Sequence, residues 1–515
     1  MMCSLRLPLL ALLTAATLSG CYALDPEMKR QVEARKEQAR GQPTAPPSAP
    51  AGTRAATPSA LPELDGRRFE VIPGMSALPQ PSSSAPELPL PAAPAADWPV
   101  RSAATDPAAA ALAGQKVDAI ATAYVALSLE IGTHEKGYID AYYGPRALMD
   151  ASISAPRDQK ALLVATRQLM SKLEEAAPDL SDPIERQRRA FLAAQLRAAE
   201  TRLMMMDGTR FSFAEEAERL FGVRPVLRPL ESYDAALATV DALVPGDGPL
   251  AMRVETYLDR FTIPKDKLQG VFDTAIARCR GRTVAHVALA PDDSFDLQFV
   301  TGKSWSGYNY YQGGYHSIIQ VNTDLPIRLS RALDLGCHEG YPGHHLLNMK
   351  LEEQMVKGRG WIEFSVYPLY SPQSLIAEGS ANYGIDLAFP GHERTDFEKR
   401  VLYPLAGLDP ATAEAQTQLL ALTRELARAE YTVADAYLAG RIDRETALDQ
   451  LQKYSLVARD RANQRLSFIE TYRSYIINYG LGRDMVQAWV EDQGPDHWAT
   501  TERLLASQTL PVDLD

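Results

Sequence analysis

Residues 337–347 read CHEGYPGHHLL, and this short run decides how the rest of the chain is understood. It holds three of the eight histidines in 515 residues, and Glu339 follows the first of them. A helix that binds zinc through two histidines places them four apart, so that both lie on one face, with a Glu after the first to activate water. Here the spacing is wrong for a regular helix. His344 follows His338 by six residues, a rotation of about 600° that puts it on the far side. His345 follows by seven, on the right face but about 10.5 Å along the axis. Two nitrogens on one tetrahedral zinc, each at ~2.1 Å, sit only about 3.4 Å apart, so neither regular arrangement closes on a metal.

Pro342-Gly343 supplies the distortion that is needed. Proline cannot donate a backbone bond to residue 338 and its ring clashes with that carbonyl, while glycine takes up unusual backbone angles. With those two residues bulged out, HEGY followed by H recovers the usual spacing, making His338 and His344 ligands and Glu339 the base. His345 then faces the substrate or supports the ligands from behind. Which of His344 and His345 is the second ligand stays open at this stage. A polar His-rich loop without metal is the plain alternative, and a Glu beside the first histidine at a built-in bulge argues against it.

Upstream, SWSGYNYYQGGYHSIIQVNTDLP alternates aromatic and small residues, turns at Gly313-Gly314 and runs through β-branched residues to Asn322. This pattern predicts a β-hairpin immediately before the histidine helix, with SIIQVN as an edge strand open to an extended peptide. His316 and Asn322 on it are candidate substrate contacts, although a lone His is more often structural. Elsewhere helical spacing dominates. DPIERQRRAFLAAQLRAAETRLMMMDG has Asp182 to cap, Pro183 in the first turn and Gly208 to stop it. PATAEAQTQLLALTRELARAEYTVADAYLAG and DRETALDQLQKYSLVARDRANQRLSFIETYRSYI continue the pattern. Met204-Met205-Met206 reads as core filling at a helix end.

The N-terminus carries one Arg, the apolar run LPLLALLTAATL and then Leu18-Ser19-Gly20-Cys21. That run is too short to span a bilayer and marks a secretory signal peptide. Small residues before a Cys resemble the bacterial lipobox, which makes Cys21 the lipidated first residue of the mature chain. Tyr22, in place of an Asp, points to the outer membrane. The Pro, Ala and Ser-rich stretch that follows cannot bury enough apolar surface to fold and serves as a tether, its typical span on the order of 50 Å. The expected organisation is a signal peptide over 1–20, lipidated Cys and tether over 21–115, and a helical domain over 116–515. The formal net charge is −12 and no basic cluster is present, which argues against nucleic acid as a partner. Cys279 and Cys337 could pair in an oxidising compartment or stay as buried thiols, and their spacing does not decide.

HEGYPGHH resembles the HExxPGHH signature of the domain-of-unknown-function 885 family, bacterial and often lipoprotein, itself related to helical zinc metallopeptidases of the thimet oligopeptidase and angiotensin-converting-enzyme type. IIQVNTDLP is similar to that family's strand before the metal helix, AEGSANYG to its EGWALY segment, and YRSYIINYGLG to its closing R-Y…Y-x-x-G element. The resemblance implies a mainly α, two-lobed zincin-like fold with a small antiparallel β-sheet at the cleft, and one zinc ion per chain. It makes Glu378 the third ligand, from a later helix. Two imidazoles and one carboxylate also suit a catalytic zinc, because they leave a fourth position open. Asn382 and Asp386, one and two turns after Glu378, could orient a ligating histidine. Tyr479 is a donor to the oxyanion, with His345 as the other candidate for that role. The chain departs from the family at Leu347, Ser380 and Ile385, which removes no ligand or base but alters the pocket. The resulting expectation is a lipid-anchored, periplasm-facing zinc metallopeptidase acting on short peptides. A zinc hydrolase of a non-peptide amide or ester would use the same residues, and a silent binding lipoprotein would be expected to lose Glu339 first.

Overall fold

Asp182 caps the helix Pro183–Met206 by accepting from the Ile184 amide at 2.9 Å, and Pro183 sits where a missing N–H costs nothing. Gly208 follows with φ +94°, a conformation that ends the helix at little cost to glycine. Met205 and Met206 pack partly buried against the core beside this end. The computed structural model describes residues 107–177, 180–303 and 305–514. Cys21, the signal sequence and most of the expected tether lie outside the described residues. The first described helix begins at Pro107, ahead of the boundary expected at 116.

The chain is mainly α-helical, as its periodicity implies. The long C-terminal patterns are each divided in two: Ala413–Leu426 and Ala429–Leu438, then Arg444–Ser455 and Arg459–Tyr472. Leu456 breaks the second pair with φ +53°. No helix among the described residues is long and apolar enough to cross a membrane.

Two small sheets interrupt the helices. β1 (Ile139–Tyr142) pairs antiparallel with β5 (Val366–Pro368), and β2 (Ser294–Val300), β3 (Gly307–Gly313) and β4 (His316–Asn322) form a second sheet in the order β2-β4-β3. β3 and β4 are the expected hairpin. β4 is not an edge, however, because β2 pairs with it in parallel along its full length. The sheet is therefore mixed, and the strand with an open edge towards the cleft is β3, whose Gly307, Tyr308 and Asn309 line it. The proposed pairing of a peptide with SIIQVN is excluded, since both sides of that strand are already hydrogen-bonded.

The described residues hold together as one unit around more than one apolar cluster, as expected when a chain outgrows a single core. One cluster joins the N-terminal helices to the C-terminal ones; a second joins residues around Val240, Phe272 and Leu333 to Leu402 and Leu426. A third, with Tyr311, Tyr341, Leu346 and Phe364, lies behind the histidine segment and gives it a rigid backing.

Candidate metal centre

The helix Leu329–Leu335 widens into a π turn at Gly336–Gly340, leaves helical geometry at Tyr341–Gly343 and resumes as His344–Leu351. Three residues loop out, preceded by a wide turn, where the sequence suggested a two-residue bulge. Gly343 is required by close approach: a Cβ there would lie 1.8 Å from the His338 carbonyl oxygen. The detour brings rings six residues apart to a centroid separation of 4.6 Å, edge to face at 87°.

Glu378 arrives from the helix Pro372–Ala388, which is buried along nearly its whole length. That helix crosses Ile477–Asp492 at two glycines, where a Cβ on Gly379 would meet the Gly482 carbonyl oxygen at 2.5 Å. On its other side a Cβ on Gly384 would lie 2.9 Å from Cγ of Pro342, so the helix also abuts the looped segment. These contacts fix the depth at which the carboxylate sits.

His338, His344 and Glu378 each present one ligand atom, and all three atoms lie within 4.8 Å of one another. Oε2 of Glu378 is 3.2 Å from Nε2 of His338 and 3.6 Å from Nε2 of His344. These values bracket the ~3.4 Å expected between two donors on one tetrahedral zinc. Oε2 is buried, and apart from the two imidazoles it faces it has no partner among the described residues. The donor set and the buried oxygen together fit a divalent cation. Burial opposes ionisation of Glu378, but the flanking histidines hold it well below the usual carboxylate range. His344, despite its own burial, is pushed up to about 9 by Glu378.

Around this triad the structure places the other residues individually. Asn382 accepts from Nδ1 of His338 at 3.2 Å and donates its amide to the Tyr479 carbonyl at 3.2 Å, which turns Nε2 of His338 towards Glu378. Asp386 does not reach a histidine; Arg483 engages it at 2.6 Å. Glu339 lines the same cleft, with Oε1 2.5 Å from where a Gly307 Cβ would be, so a side chain at 307 would displace it. Burial raises its carboxyl above the ordinary range, against the pull of His338 and His344. The Tyr479 ring stacks on His338 at 6.4 Å and is 36 % exposed to the cleft. Enclosure there pushes its hydroxyl well above the usual tyrosine range, and Glu378 and Glu339 add to this, so it keeps its proton.

Of the two places expected for His345, facing the substrate or supporting the ligands from behind, its contacts match the second. It is fully buried, with Nε2 2.7 Å from Oδ1 of Asp293 and Nδ1 2.7 Å from Oγ of Ser317. Both ring nitrogens are committed on the side away from the cleft, so it supports the segment and meets no substrate. His316 contacts Ser294 and Asp296 at the far end of β4 and does not line the cleft. Asn322 also faces away, its amide tying down the carbonyls of Lys303 and Trp305. His316 thus contacts the neighbouring strand β2, and Asn322 the segment between β2 and β3, which accounts for both polar residues without a substrate.

Three residues went unnoticed in the sequence. Tyr475 donates to Oε1 of Glu378 at 2.8 Å. Asp293 accepts from Tyr341 at 2.7 Å as well as binding His345, clamping both ends of the loop. Asp140 on β1 enters the cleft, where burial pushes its carboxyl up to about 7. Tyr475 lies inside the YRSYIINYGLG run, but aromatic spacing there reads equally as core. Cys279 and Cys337 form a disulfide with Cα atoms 5.4 Å apart, tethering the helix Leu268–Val284 to the residue before His338.

No family model matches the chain, and no curated protein matches it; the resemblance drawn from HEGYPGHH therefore rests on those residues. Among solved structures, the chain is similar to a candidate lipoprotein from Colwellia psychrerythraea at 14% identity and TM-score 0.43, over 69% of this chain and 68% of that one. It is similar to a candidate lipoprotein of unknown function from Shewanella oneidensis at 13% identity and TM-score 0.39, over 72% and 74%. An M32 carboxypeptidase from Deinococcus radiodurans R1 follows at 13% identity and TM-score 0.33, over 77% and 89%. Likenesses this slight carry no argument, and the function is argued from the site.

Proposed function

We propose that this chain is a zinc-dependent metallopeptidase that hydrolyses short peptides, tethered by a lipidated Cys21 to the periplasmic face of the outer membrane. The observation that carries the reading is the convergence of ligand atoms from His338, His344 and Glu378, the carboxylate oxygen being Oε2. His338, His344 and Glu378 would hold the ion, one per chain. Zinc bound there would act as a Lewis acid towards the substrate carbonyl and the attacking water. Glu339, raised by burial, takes the proton from that water and passes it to the leaving amine. Tyr479, which keeps its proton, donates to the oxygen that becomes negative. The cleft encloses about 1340 Å³, above the ~300–1,000 Å³ of small-ligand pockets and roomy enough for several peptide residues.

A mixed peptide library read by mass, with and without chelator, tests this. Cleavage that chelator abolishes and zinc restores is expected; no cleavage of any peptide by the zinc-loaded protein would overturn the proposal. For the tether, Cys21→Ser should release the chain to the soluble periplasm, and unchanged membrane association would count against the anchor.

A further inference from the structure

Five aromatic side chains that line the cleft keep part of their surface exposed: Trp305, Tyr308, Phe468 and Tyr472 are half-buried and Tyr479 is exposed. Exposed aromatic area forgoes roughly 25 cal/mol for every Å² left in water, so a concave cluster of it beside convergent polar groups marks a binding surface. The five fall into two groups, and each group starts at the metal centre.

The first group continues from the base. Gly307 packs against Glu339, and Tyr308 is the next residue, its hydroxyl fixed by a 2.9 Å bond to the Asp140 carbonyl. Trp305 stacks on Tyr308 at 5.4 Å and 29°, and Tyr308 on Tyr310 at 6.3 Å and 13°. The second group continues from a ligand. Tyr479 stacks on His338, Phe468 lies 6.2 Å from Tyr479, and Tyr472 lies 4.5 Å from Phe468. Both groups line the same opening, which Glu339, His338 and Glu378 also line. Ring stacking and the Asp140 bond hold the first group in place.

We infer that these two aromatic groups form the subsite for an aromatic or large apolar side chain of the substrate residue adjoining the scissile bond. The inference rests on the peptidase reading and narrows its substrate class. A flat ring or long aliphatic chain entering between them covers aromatic surface on both sides. A small side chain leaves that surface wet, and an acidic one does so while also giving up its own hydration.

Binding separates this inference from the catalytic proposal. Zinc-loaded Glu339→Gln protein would be titrated calorimetrically with peptides that differ at one central position, Phe, Leu, Ala or Asp. The expected result is at least ~10-fold tighter binding of the Phe and Leu peptides than of the Ala peptide, as a few buried methylene equivalents provide. Phe468→Ala and, separately, Trp305→Ala in that background should each reduce the preference to ~3-fold or less, with thermal melting confirming a folded protein. Equal binding of all four peptides would overturn the subsite while leaving the peptidase reading intact. Binding of none would overturn both. A Phe preference unchanged in both folded variants would place the subsite elsewhere.

Discussion

The Tyr475 hydroxyl donates to Oε1 of Glu378 at 2.8 Å, leaving Oε2 of the same carboxylate facing His338 and His344. One oxygen is thus spent on orientation and the other is presented to the metal position. Tyr475→Phe removes the donor and keeps the buried ring. Zinc affinity should fall about 10- to 100-fold, as for other groups that orient a ligand. Competition against a chromophoric chelator measures it, and an unchanged affinity would mean that Oε2 is placed by helix packing alone.

The two adjacent histidines should behave differently. His344→Ala removes a ligand atom from the triad and should lose most of the zinc. His345→Ala should keep it, but leave Asp293 buried without one of its partners and destabilise the fold by roughly 3 kcal/mol. Metal analysis and denaturant melts on both variants check this; zinc lost from His345→Ala in a folded protein would contradict the assignment.

The contradiction between HEGYPGHH and helix geometry is local, so the need for a break near Pro342-Gly343 can be read from the run itself. The form of the break cannot, because it depends on Asp293 holding Tyr341 and His345 from some fifty residues upstream. The position of β4 was misjudged for a similar reason. SIIQVN looks like one side of a hairpin, and nothing in it announces that SFDLQFV will dock in parallel on its other side. Tyr475 and Asp140 were missed because neither has a local signature: one looks like core packing, the other like an ordinary acid in a short strand. Asn382 was legible, one turn from Glu378, because a helix places residues four apart on one face.

Cys279 and Cys337, 58 residues apart, tie the metal segment to a neighbouring helix. Replacing both with Ala should lower stability by about 2–4 kcal/mol, the usual range for a disulfide. The measurement is chemical denaturation of the parent and double variant, with and without reductant. Reductant should erase the difference, and a parent equally stable in both conditions would show that the link contributes nothing.

Glu339 decides the account most directly, because it lies beside a ligand yet outside the cluster of ligand atoms. Glu339→Gln preserves size and hydrogen bonding but removes the proton acceptor, and general acid–base catalysis is worth about 10²- to 10⁴-fold. Zinc content and turnover of the best library peptide, measured on one preparation of the variant, should give about one zinc per chain and hydrolysis reduced at least ~100-fold. Full hydrolysis by that variant, or loss of its zinc, would contradict the assignment of Glu339 as the base beside a His338, His344 and Glu378 metal centre.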